Sequence, residues 1–290
     1  MSDVIKGVLD KQFGPGQWSS SGFSVGRSEP TDDFHRTQLK EKQNDPDVHS
    51  NFGAYLMDVK KDPVGAERAY RRALAINPNH INALGNLALV LAARGELDEA
   101  EACFRAAVRT PGSGHENASW NYANFLIRRK GDRQTAADVL KQGIAANPDS
   151  GRLMVGYAEE MILARRPDDA LAALNTAREK GANQEQVEVD HAYALQLSGA
   201  PPIDCIAAYR TALSLRPNDA SLQLNLAQVL YLQGDVEQAS SLLRASLRGE
   251  LNPSARLEAQ LYLLCYCDVS PHFVASVTRA LLTDGGRLQW

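Results

Sequence analysis

Three short stretches of this 290-residue sequence carry residue types that do covalent or metal chemistry in other settings. Gly22-Phe23-Ser24-Val25-Gly26 has the G-x-S-x-G spacing of a serine nucleophile turn. Such a turn needs a strand before it and a helix after it on an α/β sheet. Ser19-Ser20-Ser21 and Arg27-Ser28-Glu29-Pro30 supply neither flank. His115-Glu116 opens like a zinc-protease helix, but Ser119 stands where the second histidine is required. Cys265-Tyr266-Cys267 with His272 offers three ligand atoms. Two cysteines two apart on a helix point to different faces, and a fourth ligand is not evident. Neither a GxxxxGK phosphate loop nor a dinucleotide fingerprint occurs. The expectation is a chain that is not an enzyme, with no metal and no cofactor. What remains is the chemistry of recognition: amides, guanidinium groups and aromatic rings at regular intervals.

Composition narrows the class. Apolar content of 44% and charged content of 23% are those of a folded water-facing protein. A net charge of −4 argues against nonspecific nucleic-acid binding, which needs a basic surface. No run approaches the ~18 apolar residues of a membrane span. Asp3, Lys6 and Asp10 interrupt Met1 to Lys11, so no continuous signal core stands there. Cys103 and Cys205 fall inside helical patterns as small apolar groups, without a disulfide framework. A cytoplasmic location is expected, where the sequon Asn117-Ala118-Ser119 would go unused.

The elements that position the recognition residues repeat. A small residue, a large apolar one four later and a small one three after that recur six times. They are Ala66/Tyr70/Ala73, Ala100/Phe104/Ala107, Ala136/Leu140/Gly143, Ala170/Leu174/Ala177, Cys205/Tyr209/Ala212 and Ala239/Leu243/Ser246. First positions are 34, 36, 34, 35 and 34 residues apart. Spacings of four and three lie on one helix face. Small residues there let two helices approach, and the large one fills the gap between them. Pro78, Pro148 and Pro217 follow the apolar ends of such helices, where proline stops them. Gly95, Gly131, Gly199 and Gly234 fall in short turns that want a left-handed residue. In the upstream helix Leu84, Leu87, Ala88 and Leu91 recur as Trp120, Ala123, Asn124 and Ile127. Leu226, Ala227 and Leu230 match the last three.

This pattern closely resembles the tetratricopeptide repeat family, whose period is 34. The resemblance covers roughly residues 46–248. It weakens where Arg165-Arg166-Pro167 and Gly199-Ala200-Pro201-Pro202 replace the usual turn. It implies an all-α, right-handed α-solenoid of about six to seven helix-turn-helix repeats. Residues 46–248 would hold six repeats. Residues 249–290, with helical patterns over Ser254–Cys265 and Pro271–Leu282, would form a degenerate capping pair. Residues 1–45 read as a flexible arm that could hold a short amphipathic helix through Val4, Ile5, Val8, Leu9 and Phe13; the alternative is a segment that folds back onto the solenoid or recruits a partner.

The resemblance also implies where a ligand lies. In the family the upstream helices line a concave groove that holds extended peptides. With the first small residue of the downstream helix as position 20, Asn86 and Asn225 share position 6. Asn51 joins them if the first unit has one extra residue in its turn. Tyr122, Gly156 and His191 stand there in the others. In some members asparagines at this position grip a peptide backbone, since an amide donates and accepts at once. They could equally satisfy bonds between neighbouring helices. Other lining positions give Asn121, Phe125, Arg128 and Arg129 in unit three, and Arg152 and Glu159 in unit four. They give Asp190 in unit five and Gln228 and Tyr231 in unit six. The arginines beside Phe125 could hold a carboxylate or form a solvated basic turn. Gly85 and Ala118 stand where basic residues of a chaperone-tail clamp belong. The expected partner is a protein or peptide, with no nucleic acid and no membrane. Self-association through a solenoid end or the N-terminal arm is a further option. The functional expectation is a non-catalytic scaffold or adaptor. Its alternative is the substrate-recognition or regulatory region of a larger enzyme, such as a glycosyltransferase or protease that carries such repeats.

Overall fold

A computed structural model describes residues 32–110 and 115–263. Their regular elements are helices: α1 (Asp32–Glu41), α2 (Pro46–Tyr55), α3 (Pro63–Ile76), α4 (Ile81–Arg94), α5 (Leu97–Arg109), α6 (His115–Phe125) and α7 (Arg133–Ala146). Then come α8 (Gly151–Leu163), α9 (Pro167–Glu179), α10 (Gln184–Ser198), α11 (Pro202–Leu215), α12 (Ala220–Leu232), α13 (Val236–Ser246) and α14 (Pro253–Tyr262). One turn of π-helix extends α2 over Leu56–Lys60, and another extends α6 over Leu126–Lys130. The fold class is an all-α helical repeat of the solenoid type. Contacts divide the chain into two compact units, residues 1–157 and 158–290.

In the first unit the hairpins α2/α3, α4/α5 and α6/α7 each pack internally, and α4 also lies against α2 and α6. Their small–large–small columns are the core. Ala66, Tyr70, Ala73, Ala100, Phe104, Ala107 and Ala136 are fully enclosed. Gly143 belongs to the same column: a Cβ there would stand 2.7 Å from that of Ser119 on α6. In the second unit α10/α11 and α12/α13 repeat the arrangement, with Cys205, Tyr209, Ala212, Ala239, Leu243 and Ser246 enclosed.

Local chemistry sets the helix ends. The side chains of Asp62, Asp132 and Asp235 each accept the N–H three residues on, at the start of a second helix. Gly95, Gly131, Gly199 and Gly234 have φ between +70° and +88°, as their turns demand. Lys61 (φ +57°) and Arg165 (φ +59°) do the same job without being glycine. Arg165 is the left-handed residue of the unit whose sequence lacks the usual turn.

Part of the expected flexible arm is ordered. Residues 32–41 form α1, which packs on α2. His35 is buried there, its ring 4.3 Å from that of Tyr55 and 5.9 Å from that of Phe52. Burial pushes the His35 pKa down. The Tyr55 hydroxyl donates to Asp32, and Lys60 Nζ lies 2.7 Å from the other Asp32 oxygen. One aromatic cluster and one shared carboxylate thus extend the stack N-terminally, a signal too short to show as a repeat. The amphipathic stretch at 1–13, the G-x-S-x-G at 22–26, the Cys265/Cys267/His272 group and the helical pattern at 271–282 lie outside the described residues. Helix α14 falls on the helical pattern read over Ser254–Cys265, starting one residue earlier at Pro253.

A left-handed conformation costs a residue with a Cβ about 1–2 kcal/mol. Lys61→Gly is expected to raise the urea midpoint by roughly 1 kcal/mol of stability. A lowered midpoint would show that Lys61 side-chain contacts outweigh the backbone cost.

Candidate functional site

The two π turns decide which residues share a place on the first helices. Each adds one residue between the helix core and its left-handed end, Lys61 or Gly131. Asp62 and Asp132 close the two turns in the same way, donating backbone N–H to Leu56 and Leu126 carbonyls at 2.8 and 3.1 Å. The first helices of repeats one and three therefore start one residue earlier than their second helices suggest. In repeat three the buried residues include Ser119, Tyr122, Ala123 and Leu126. Each lies 35 residues after Leu84, Leu87, Ala88 and Leu91. Trp120, Asn124 and Ile127, expected in those places, are only half-buried. The sequence frame for this helix is corrected by one residue.

The correction lines up the asparagines. Asn51, Asn86 and Asn121 are spaced by 35 and 35 residues and take one position on α2, α4 and α6. Tyr122, placed there by the uncorrected frame, is buried against Phe104 at 5.7 Å between ring centroids. Asn86 is buried with its amide beside the Tyr70 hydroxyl. Asn51 is exposed and Asn121 half-exposed, and neither side chain bonds a described residue. Position 6 of repeat four is Gly156 on α8, its space filled by the Trp120 ring, since a Cβ there would meet that ring at 2.6 Å. Trp120 in turn carries the Arg152 guanidinium over its face at 4.4 Å. Arg152 also donates to Asn117 Oδ1 at 3.3 Å. The one-residue shift brings Asn117 and Trp120 to the lining positions that the second-helix frame gives to Ala118 and Asn121.

The expected Arg–aromatic cluster comes apart. Phe125 is fully enclosed, 5.2 Å from the Phe104 ring, and is a core residue that lines no surface. The frame carried over from the second helices puts it on the lining face, one residue out of step with α6. Arg129 reaches back to the Ala92 carbonyl at the end of α4, where a cation suits the helix dipole. Arg128 is exposed at the turn. Lys130 pairs with Glu101 at 3.0 Å.

In the second unit the remaining candidates form a polar chain along the first helices. Gln186 Nε2 donates to both Asp190 oxygens at 3.0 Å and to Glu159 Oε1 at 3.3 Å. Its own Oε1 accepts from Arg216 at 2.9 Å, and Arg216 also donates to Glu185. Asp190 is buried, and desolvation pushes its carboxyl up to about 6 against the pull of Gln186 and Arg216. The Asn225 amide lies beside the Tyr193 hydroxyl. Gln228 donates to Glu258 at 2.9 Å, and Tyr231 meets Tyr262 edge-on at 6.2 Å. Apart from the Gln186–Asp190 bonds within α10, these contacts join one first helix, or the turn leading into it, to the next. Asn225, Gln228 and Tyr231 thus hold helices together.

Comparison with known sequences decides the family. The profile of the "Cilia and flagella-associated protein 70 middle TPR-like domain" matches residues 24–120, and that of the tetratricopeptide repeat matches 128–189 and 204–261. The chain belongs to the tetratricopeptide repeat family. Curated tetratricopeptide relatives include cellulose synthase operon protein C of Xanthomonas axonopodis pv. citri, 30% identical over 217 residues, covering 69% of this chain and 14% of that protein. Tetratricopeptide repeat protein 21B of Mus musculus is 28% identical over 227 residues, covering 69% and 17%. The chain thus spans less than a fifth of the length of these relatives. A tetratricopeptide repeat protein from Parabacteroides merdae superposes with a TM-score of 0.57 at 18% identity, covering 84% of this chain and 94% of that one. The C-terminal part of a Cytophaga hutchinsonii repeat protein gives 0.60 at 11% identity, covering 82% and 96%. These two likenesses concern the fold.

The Asp190 environment sets a pH dependence within this tetratricopeptide chain. Its carboxyl holds a proton more tightly folded (about 6) than at its ordinary value of 3.8. Stability from this group is therefore full below about pH 4, falls as pH rises through about 6, and stays lost above. Asp190→Asn should flatten that slope and stabilise the chain at pH 7.5 by on the order of 2 kcal/mol. Melting curves at pH 4.5 and 7.5 read the difference, and an equal shift at both pH values would rule the titration out.

Proposed function

We propose that the chain is a non-catalytic protein-binding scaffold whose first-helix face takes an extended partner segment. The observation that carries this reading is the row Asn51, Asn86 and Asn121, brought into one position by the two π turns. Two of the three amides bond no described residue, and unspent amides suit a peptide backbone, which offers both donors and acceptors. First helices that pack side by side are about 8–10 Å apart. An extended chain advances about 3.3 Å per residue, so successive amides would meet every third peptide unit. Trp120 with Arg152 stands at the C-terminal end of the row as a mixed apolar and cationic contact. In this reading Asn225, Gln228 and Tyr231 are secondary, since each is already spent between helices. The adaptor role and a cytoplasmic setting belong to the same proposal, the latter suited to the free thiols Cys103 and Cys205.

A second reading rests on the Xanthomonas relative, whose name attaches it to a cellulose synthase operon. In that case the repeats are one region of a larger protein that serves an enzyme complex. A catalytic domain in the same reading frame, or a synthase encoded beside it, would favour this over a free-standing adaptor.

The test is Asn51→Ala/Asn121→Ala, with Asn86→Ala added as a third change. The double variant should melt like the parent, because neither amide bonds a described residue. The third change should cost about 1 kcal/mol, as for a buried polar contact. Affinity capture from native lysate with mass spectrometry should lose the parent's partners in both variants, with circular dichroism unchanged. Partner recovery equal to the parent's would sink the asparagine row as the binding surface.

A further inference from the structure

A second surface lies away from the asparagine row, among α1, α2 and α3 at the start of the first unit. A cavity of about 620 Å³ opens there, lined by Leu39, Phe52, Leu56, Ala69, Arg68 and Arg72 among others. Its apolar part is incompletely covered: Leu39, Phe52 and Leu56 are only half-buried. Arg68 and Arg72 are exposed at its edge, one helical turn apart on α3. Neither makes a hydrogen bond or ion pair with a described residue. Their neighbour Arg71, in contrast, pairs with both Glu67 and Glu99. Two like charges at i and i+4 repel each other on a helix. The acid in the lining, Asp62, is occupied in capping the Gly65 N–H at 2.9 Å. His49 is likewise occupied, its Nε2 2.8 Å from the Gln43 carbonyl oxygen. The cavity therefore joins an apolar wall to two unspent guanidinium groups.

We propose that this cavity is a docking site for an acidic amphipathic segment of a partner protein. Its apolar side chains would rest on Leu39, Phe52 and Leu56. Two carboxylates about one helical turn apart would engage Arg68 and Arg72 through charge-assisted, bidentate hydrogen bonds. Charge complementarity selects this occupant, because a basic segment would add to an existing repulsion and a wholly apolar one would leave both guanidinium groups unmatched. The volume lies within the range that commonly encloses bound groups. The site is independent of the asparagine row, so the two readings stand or fall separately.

The probes are two fluorescein-labelled 15-residue amphipathic peptides with the same Leu and Phe face. One carries Glu, and the other Lys, at two flanking positions one turn apart. Fluorescence anisotropy with the full chain should show binding of the Glu peptide, at least tenfold tighter than the Lys peptide and weakened by salt. Arg68→Ala/Arg72→Ala should weaken the Glu peptide at least tenfold without lowering the melting temperature. Arg68→Glu/Arg72→Glu should invert the preference, and Asn51→Ala/Asn121→Ala should leave it unmoved. The proposal is overturned if neither peptide binds, if both bind equally, or if charge reversal leaves the preference in place. Binding of the Glu peptide only after residues 1–31 are removed would make the chain's own N-terminal stretch the occupant. A concentration-dependent dimer in light scattering that charge reversal abolishes would make it a second copy. Either result also overturns the assignment to a partner.

Discussion

Everything in this chain hangs on how closely the two helices of a hairpin approach. Columns of alanine, glycine, serine and cysteine remove side-chain bulk from the contact, and Tyr70, Phe104, Leu140, Leu174, Tyr209 and Leu243 fill what is left. A dispersion-packed contact of this kind tolerates neither a larger residue in the small columns nor a void in the large ones. Because each hairpin packs chiefly on its neighbours, the array needs no long-range pairing. Its outward residues are free to vary, which is where recognition can be placed.

That freedom is partly used to tie first helices together. His80 shows how economically. Its Nδ1 accepts the Ala83 N–H at 3.1 Å, which leaves Nε2 to donate to Asp47 at 2.9 Å. One ring therefore starts α4 and fastens it to α2. Ser150 does the equivalent, capping Leu153 at 3.2 Å and donating to Glu116 at 2.9 Å. In the second unit the Gln186 amide and Arg216 take over, at the cost of a desolvated Asp190 carboxylate. Polar residues on first helices are thus mostly committed, and the uncommitted ones stand out by contrast.

The fold was legible in the sequence because packing imposes its own period. Small–large–small columns on the second helices are strict, and every one of them is enclosed. The glycine turns were legible for the same reason: few residues adopt a positive φ cheaply. The first helices were harder. Their frame was inferred from the second helices, and that inference fails wherever a turn holds an extra residue. A frame carried over from the second helices puts Phe125 on the surface and Trp120 in the core, the reverse of how they pack. Helix α1 was missed because it carries no repeat signal, only His35 and Asp32 meeting Tyr55 and Lys60. The split of the polar residues into bonded and unbonded sets cannot be read from sequence at all, since it depends on partners some thirty residues away.

The π turns carry one more implication. Adding a residue inside an α-helix swings everything beyond it by roughly 100° about the axis, because 3.6 residues complete a turn. At Leu56–Lys60 and Leu126–Lys130 the added residue is taken up within a single widened turn. Upstream side chains keep their azimuth, and the second helix still docks. The wide turns act as phase absorbers: they uncouple the bookkeeping of length from the bookkeeping of direction. A gene that gained a codon in either place would lengthen the repeat without rotating the face it presents.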